Sequence, residues 1–196
     1  MAETKTTDDM DVATPEAPAE PKPQRRRITR RKAVEEHVRS YFDAVARRDV
    51  PAMLEHWSPE GVLDLVPLGV HRGAAEISAF FREMFAAVPD AEMTVTRLVA
   101  GEHEAAVEWR LTGNFSGEPF QGIDAPGKRL ELRGLDLVQV EDGKIVSVTA
   151  YYDAMEFGRQ IGLMPAQDSS AESAMKSALN AATRVRRAVA DWRTSR

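Results

Sequence analysis

The sequence predicts one α+β domain over residues 33–165, with helices first and a curved antiparallel sheet after, shaped to enclose an apolar pocket. Two observations lead there. Apolar residues recur at helical spacing before Pro89 and at alternate positions after it. The alternating segments are also joined by turns too short for parallel crossovers, among them Asp142-Gly143.

The first helix is expected from about Lys32, with Thr29 as N-cap and Val34, Val38, Tyr41, Phe42 and Val45 as one buried stripe. Asp49 followed by Pro51 marks a second, short helix carrying Met53, Leu54 and Trp57, which Ser58-Pro59 ends. Gly61 to Val66 alternates as a first strand, and Gly69 to Gly73 reads as a turn. A third helix, Ala74 to Ala87, carries Ile77, Phe80, Phe81, Met84 and Phe85 before Pro89 stops it. Strands follow around Met93–Val99, Ala105–Leu111, Arg129–Val140 and Ile145–Tyr152, then a short helix from Asp153 to Leu163.

Residues 1–32 read as a disordered tail, acidic and then basic, because the first 24 lack any apolar periodicity that could offset ordering entropy. Residues 166–196 read as a linker followed by a basic helix, Ser170 to Trp192, with a thin stripe of Met175, Leu179, Ala182, Val185, Val189 and Trp192. Such a helix is marginal alone, so it is expected to pack on its own domain or on a dimer mate. A membrane surface is disfavoured by Glu172 and Asp191.

Charge is unevenly spread. The net of −5 combines −4 over residues 1–24, +6 over 25–32, −10 over 33–165 and +3 over 166–196. An acidic body repels phosphate backbones, so nucleic acid is expected only through the tails. No cysteine is present, which excludes disulfides, thiolate metal ligands and a cysteine nucleophile. With no long apolar run and no apolar signal core, a cytoplasmic location is expected.

The run from Gly117 to Pro165 carries Gly122-Ile123, Gly127-Lys128-Arg129, Arg133-Gly134 with Asp136, and Glu141-Asp142-Gly143-Lys144-Ile145-Val146. It closes with Tyr152-Asp153 and Gln160-Ile161-Gly162-Leu163, while Tyr41-Phe42 and His71-Arg72-Gly73 stand upstream. Over residues 33–165 the chain thereby resembles the SnoaL-like polyketide cyclases of the nuclear transport factor 2-like superfamily. The resemblance implies a cone-shaped fold, N-terminal helices packed on a curved, mostly antiparallel sheet. It also implies cofactor-independent acid/base chemistry of cyclase or isomerase type on an apolar carbonyl compound, and a homodimer.

Asp136 is the candidate catalytic residue. By the period of two it shares a face with Leu130, Leu132, Gly134, Val138 and Val140, an apolar setting that makes an unpaired charge costly. Such a carboxyl is either raised in pKa and able to move protons on carbon acids, or tied to a tyrosine, a histidine or a backbone amide. The resemblance implies the first, since these cyclases place an acid/base aspartate after Arg-Gly-X. Candidate substrate-binding residues are Trp57, His71 at the pocket mouth, Phe81, Phe85, Phe115 and Tyr152. Phe115 stands where relatives often carry a histidine. Parity puts Arg133 on the opposite face.

His37, His56 and His103 show no ligand spacing, so no metal is expected. Epoxide hydrolysis by an Asp-Arg-Asp set is disfavoured, because Ala150 stands at the terminal aspartate's place and no Arg-X-Asp surrounds Glu108. The competing expectation is a non-catalytic ligand-binding or association module whose basic tails contact a partner.

Overall fold

In a computed structural model, residues 23–66 and 68–194 are described. The elements are α1 (Pro23–Ala46), α2 (Val50–Glu55), β1 (Trp57–Val66), β2 (Gly69–Arg72), α3 (Gly73–Ala87), β3 (Glu92–Ala100), β4 (Glu104–Phe115), β5 (Lys128–Glu141), β6 (Lys144–Tyr152), α4 (Ala154–Ile161) and α5 (Ser170–Thr194). One six-stranded sheet runs β2-β1-β6-β5-β4-β3, antiparallel throughout except for the β1–β6 pair. Helices packed on one curved, mostly antiparallel sheet are the architecture expected from the sequence.

Helix α1 starts at Pro23, well before the expected Lys32, and takes in the whole basic run. Arginine and lysine are good helix formers, and proline suits a first turn. Thr29 is therefore no cap: its hydroxyl donates to the carbonyl of Arg25 at 2.9 Å, the mid-helix arrangement for threonine. Arg27 pairs with Glu102 at 2.5 Å and ties this extension to the β3–β4 turn. The disordered tail expected over residues 1–32 is thus helical from Pro23, and its earlier part lies outside the described residues.

Asp49 caps α2 as expected, its side chain accepting from the Ala52 amide at 3.1 Å. The helix ends two residues sooner than expected, and Trp57 opens β1 instead. Parallel pairing explains this: the Ile145 amide donates to the carbonyl of His56 at 2.8 Å and draws the chain into the sheet. Gly69–Arg72, expected as a turn, is the short edge strand β2, with His71 opposite Leu63. Four residues are too few for alternation to show.

The core lies between the helices and one sheet face. Val38, Tyr41, Phe42 and Val45 from α1 and Ile77, Phe80 and Phe81 from α3 meet Val107, Trp109, Leu132, Val138 and Val148. At the hairpin β5–β6, Asp142 and Gly143 both take positive φ, 47° and 71°, as a two-residue turn with the twist of its strands demands. Helix α4 is capped by Asp153, whose carboxylate accepts from the Glu156 amide at 2.8 Å.

A capping box starts α5. The Ser169 hydroxyl accepts from the Glu172 amide at 3.1 Å, and the Glu172 carboxylate accepts from the Asp168 amide at 2.8 Å. Glu172 also pairs with Arg159 of α4 at 3.1 Å, which fixes the first turn of α5 to the domain. No helix among the described residues is long and apolar enough to cross a membrane.

Replacing Asp49 with Ala removes the α2 cap and is expected to cost about 1 kcal/mol in urea denaturation.

Candidate functional site

The sheet curls around a cavity of about 110 Å³ on the helix side. Its wall is almost wholly apolar, and its polar side chains are Tyr41, Trp109, Asp136 and Tyr152. An engineered apolar cavity of about 150 Å³ admits benzene, and the space here is smaller, which confines a ligand held without rearrangement to one small ring at most.

Asp136 sits on β5 opposite Val107 of β4 and Ala150 of β6, and is 9% exposed. The Trp109 indole Nε1–H donates to its Oδ1 at 2.7 Å. Among the described residues that is its only hydrogen-bond partner, so the second carboxyl oxygen is left for the cavity. Gly134 makes the bond possible. Trp109 faces Gly134 across the ladder, and a Cβ there would lie 2.1 Å from the indole Cζ2. The glycine beside Asp136 thus houses a tryptophan.

Burial raises the Asp136 carboxyl from its ordinary value to about 7, the Trp109 bond opposing the rise only in part. Tyr41 is pushed up as well, first by burial and then by the Asp136 charge, so its phenol stays protonated at any working pH. The Trp57 N–H approaches that hydroxyl and favours its ionised form, yet lies outside hydrogen-bond geometry with any partner among the described residues. Burial also raises Tyr152.

The sequence-predicted residues divide. Asp136, Phe81, Phe115 and Tyr152 line the cavity. Trp57 does not: it is core, edge-on to Tyr41 with ring centroids 6.0 Å apart. Phe85 stands behind Phe81, 6.1 Å away and stacked. His71 also lies one layer back, its ring 5.0 Å from Phe80, which does line the cavity. Its buried Nε2 has no hydrogen-bond partner among the described residues.

Arg133 is exposed on the far face, as parity predicts. Phe115 is fully enclosed, while its neighbour Asn114 is held by Asp90 through backbone and side chain at 2.7 and 2.6 Å.

Two cavity residues carried no sequence signal for this role. Tyr41 is one among equals in a helical stripe. Phe120 comes from the aperiodic loop between β4 and β5, which the end of α3 pins down. There the Gly117 and Glu118 amides donate to the carbonyls of Ala87 and Ala86, each at 3.0 Å. His37 and His56, unrelated by spacing, meet edge-on at 4.8 Å. No group of three or more metal-ligating side chains occurs among the described residues.

The SnoaL-like domain family model matches residues 38–148, and the chain belongs to that family. Among solved structures it is similar to a protein from Jannaschia sp. CCS1 assigned as a SnoaL-like polyketide cyclase. That match has 21% identity over 69% of this chain and 95% of the other, with a TM-score of 0.63. It is equally similar to AclR of Streptomyces galilaeus, assigned as a hydroxylase, at 20% identity over 80% and 98% of the two chains and a TM-score of 0.63. A nuclear transport factor 2-like protein from Burkholderia xenovorans LB400 matches at 20% identity over 66% and 96%, with a TM-score of 0.54. Likenesses at these identities establish the fold. No curated protein matches the sequence.

Gly134→Ala is expected to drive the Trp109 indole off its seat and cost about 1–3 kcal/mol in urea denaturation, as overpacking does. A second expectation concerns pH. With Asp136 titrating near 7 folded and about 3.9 unfolded, folding takes up a proton between those values, so stability falls as pH rises through that window. Asp136→Asn keeps an acceptor for Trp109 and abolishes this dependence. Urea titrations should show the variant gaining on the order of a few kcal/mol over wild type at about pH 8 and nothing below about pH 4.

Proposed function

We propose that this protein is a cofactor-independent acid/base enzyme of cyclase or isomerase type, acting on an apolar, enolisable carbonyl compound held in the cavity. One observation carries the reading: a single carboxyl, poised near neutrality, on an otherwise apolar cavity wall. A base for carbon acids works best with a pKa close to the operating pH.

In this reading the Asp136 carboxylate removes a proton from the carbon next to the carbonyl, leaving an enolate. Tyr41 and Tyr152, both protonated phenols lining the same cavity, donate hydrogen bonds to the developing oxyanion. The enolate carbon then either attacks a second carbonyl of the same molecule or takes a proton at another carbon. Asp136 returns the proton in both cases, so no oxidant, metal or cofactor is consumed. Phe81 and Phe115 form apolar wall around the substrate, while Trp57, Phe85 and His71 support that wall from behind. A homodimer in a cytoplasmic setting fits this reading.

The second reading is a ligand-binding module without catalysis, favoured by the enclosed Phe115 where relatives often carry a polar histidine.

Deuterium exchange separates the two. With cyclopentanone in D2O, the wild-type protein is expected to speed α-proton exchange above buffer, and Asp136→Asn to lower it about 100- to 10,000-fold while melting no lower than wild type. The wild-type rate should rise with pH and level off above about 7, as an ionised base requires. Equal exchange by the variant removes Asp136 from the chemistry. Tight binding without exchange selects the second reading.

A further inference from the structure

The sheet face turned away from the helices carries exposed apolar side chains across four adjacent strands: Val99 on β3, Leu135 and Leu137 on β5 and Tyr151 on β6, with Ala106 of β4 among them. Val99, Ala106, Leu135 and Tyr151 form the floor of a groove of about 650 Å³. The groove is lined by four acids, Glu108, Glu131, Asp153 and Glu156, against two bases, Arg97 and Arg133. Apolar floors with an acidic excess suit a basic amphipathic segment.

Helix α5 is such a segment. Met175, Leu179, Ala182, Val185 and Val189 follow one another at spacings of three and four, and the four larger side chains are 44–64% exposed, although helices of ordinary length are stabilised chiefly by burying such a stripe. Arg184, Arg186 and Arg187 lie within the same stretch and make no ion pair among the described residues. The dimensions agree as well. Four strands span about 14 Å at the usual strand spacing, and Leu179 to Val189 spans about 15 Å of helix.

The first turn of the helix is held to its own domain, and the stripe beyond that turn stays exposed rather than lying on its own sheet. Glu172, 5% exposed, is bound to Arg159 of α4, and Lys176 and the Asp168 amide help hold its carboxyl below the usual range. Helix α4 is in turn clamped to β5, Gln160 accepting from the Glu131 amide at 2.8 Å and donating to its carbonyl at 2.9 Å.

We infer that α5 of one copy lies across the outer sheet face of a second copy, its apolar stripe on Val99, Leu135 and Tyr151 and its arginines against the acidic rim. Twofold symmetry makes the exchange reciprocal, so each dimer contains two such contacts. This gives the dimer a specific interface, and it is independent of the chemistry in the cavity.

The natural absence of cysteine allows a direct test on the full chain. Leu179→Cys and Leu135→Cys proteins, mixed and oxidised, are expected to form a covalent mixed dimer, whereas Leu179→Cys with Val70→Cys, on the edge strand β2, is not. Sedimentation should show a wild-type dimer that Leu179→Glu with Val185→Glu converts to monomer, the melting of the domain being unchanged. Three results overturn the inference. They are a monomeric wild type, a dimer indifferent to the two glutamates, and a double Leu179→Cys, Leu135→Cys chain whose disulfide closes within one monomer. Monomers that bind anionic phosphatidylglycerol vesicles through α5 would also overturn it, assigning the helix to a lipid surface.

Discussion

A single hydrogen bond, from the Trp109 indole to Asp136, organises the interior of this protein. A carboxyl on a buried sheet face needs a partner, because an uncompensated charge there costs several kcal/mol or forces protonation. The partner comes from the neighbouring strand, two residue pairs along the ladder, and the indole reaches it by lying over Gly134. One donor serves one oxygen. The other oxygen is left facing the cavity, and the partial compensation leaves the group poised near neutrality rather than fixed as an acid or a carboxylate.

The cavity follows from the same constraint. Helices α1 and α3 close it from one side with Tyr41, Phe80 and Phe81, and the pinned loop beyond β4 closes it with Phe120. The same apolar surroundings raise both tyrosines further above their ordinary value, so both remain neutral donors. Members of one fold host unrelated activities, so the chemistry has to be argued from these few groups. Here they are one carboxyl raised toward neutrality and two neutral donors, the set on which the proposed proton transfer rests.

Much of the site was legible in the sequence, for definite reasons. Alternation along β5 put Asp136 and Gly134 on the apolar face, and the stripe of α1 marked its buried residues. What fills the space above Gly134 was not legible, because that depends on the register between β4 and β5, a pairing of residues 25 apart in sequence. Tyr41 could not be separated from Val38 or Phe42 by period alone, and Phe120 lies in a loop with no period. Trp57 and His71 were placed one layer too close to the cavity, since local pattern reports burial but not depth. Edge strand β2 was too short to alternate, and the extension of α1 to Pro23 rests on propensity in a run where charge suggested a solvated coil.

The basic flanks become intelligible once they are seen as helix. The arginine run continues α1 and reaches Glu102, while α5 is anchored through Glu172 and holds an apolar stripe away from its own core. Both place positive charge beside a body that is strongly acidic. The most direct measurement on the central claim is a carbon-13 NMR titration of the side-chain carboxyls, with Asp136 assigned by its loss in Asp136→Asn. The account predicts an Asp136 carboxyl resonance that titrates near 7. An Asp136 carboxyl that titrates near its ordinary value of about 3.9 would contradict it.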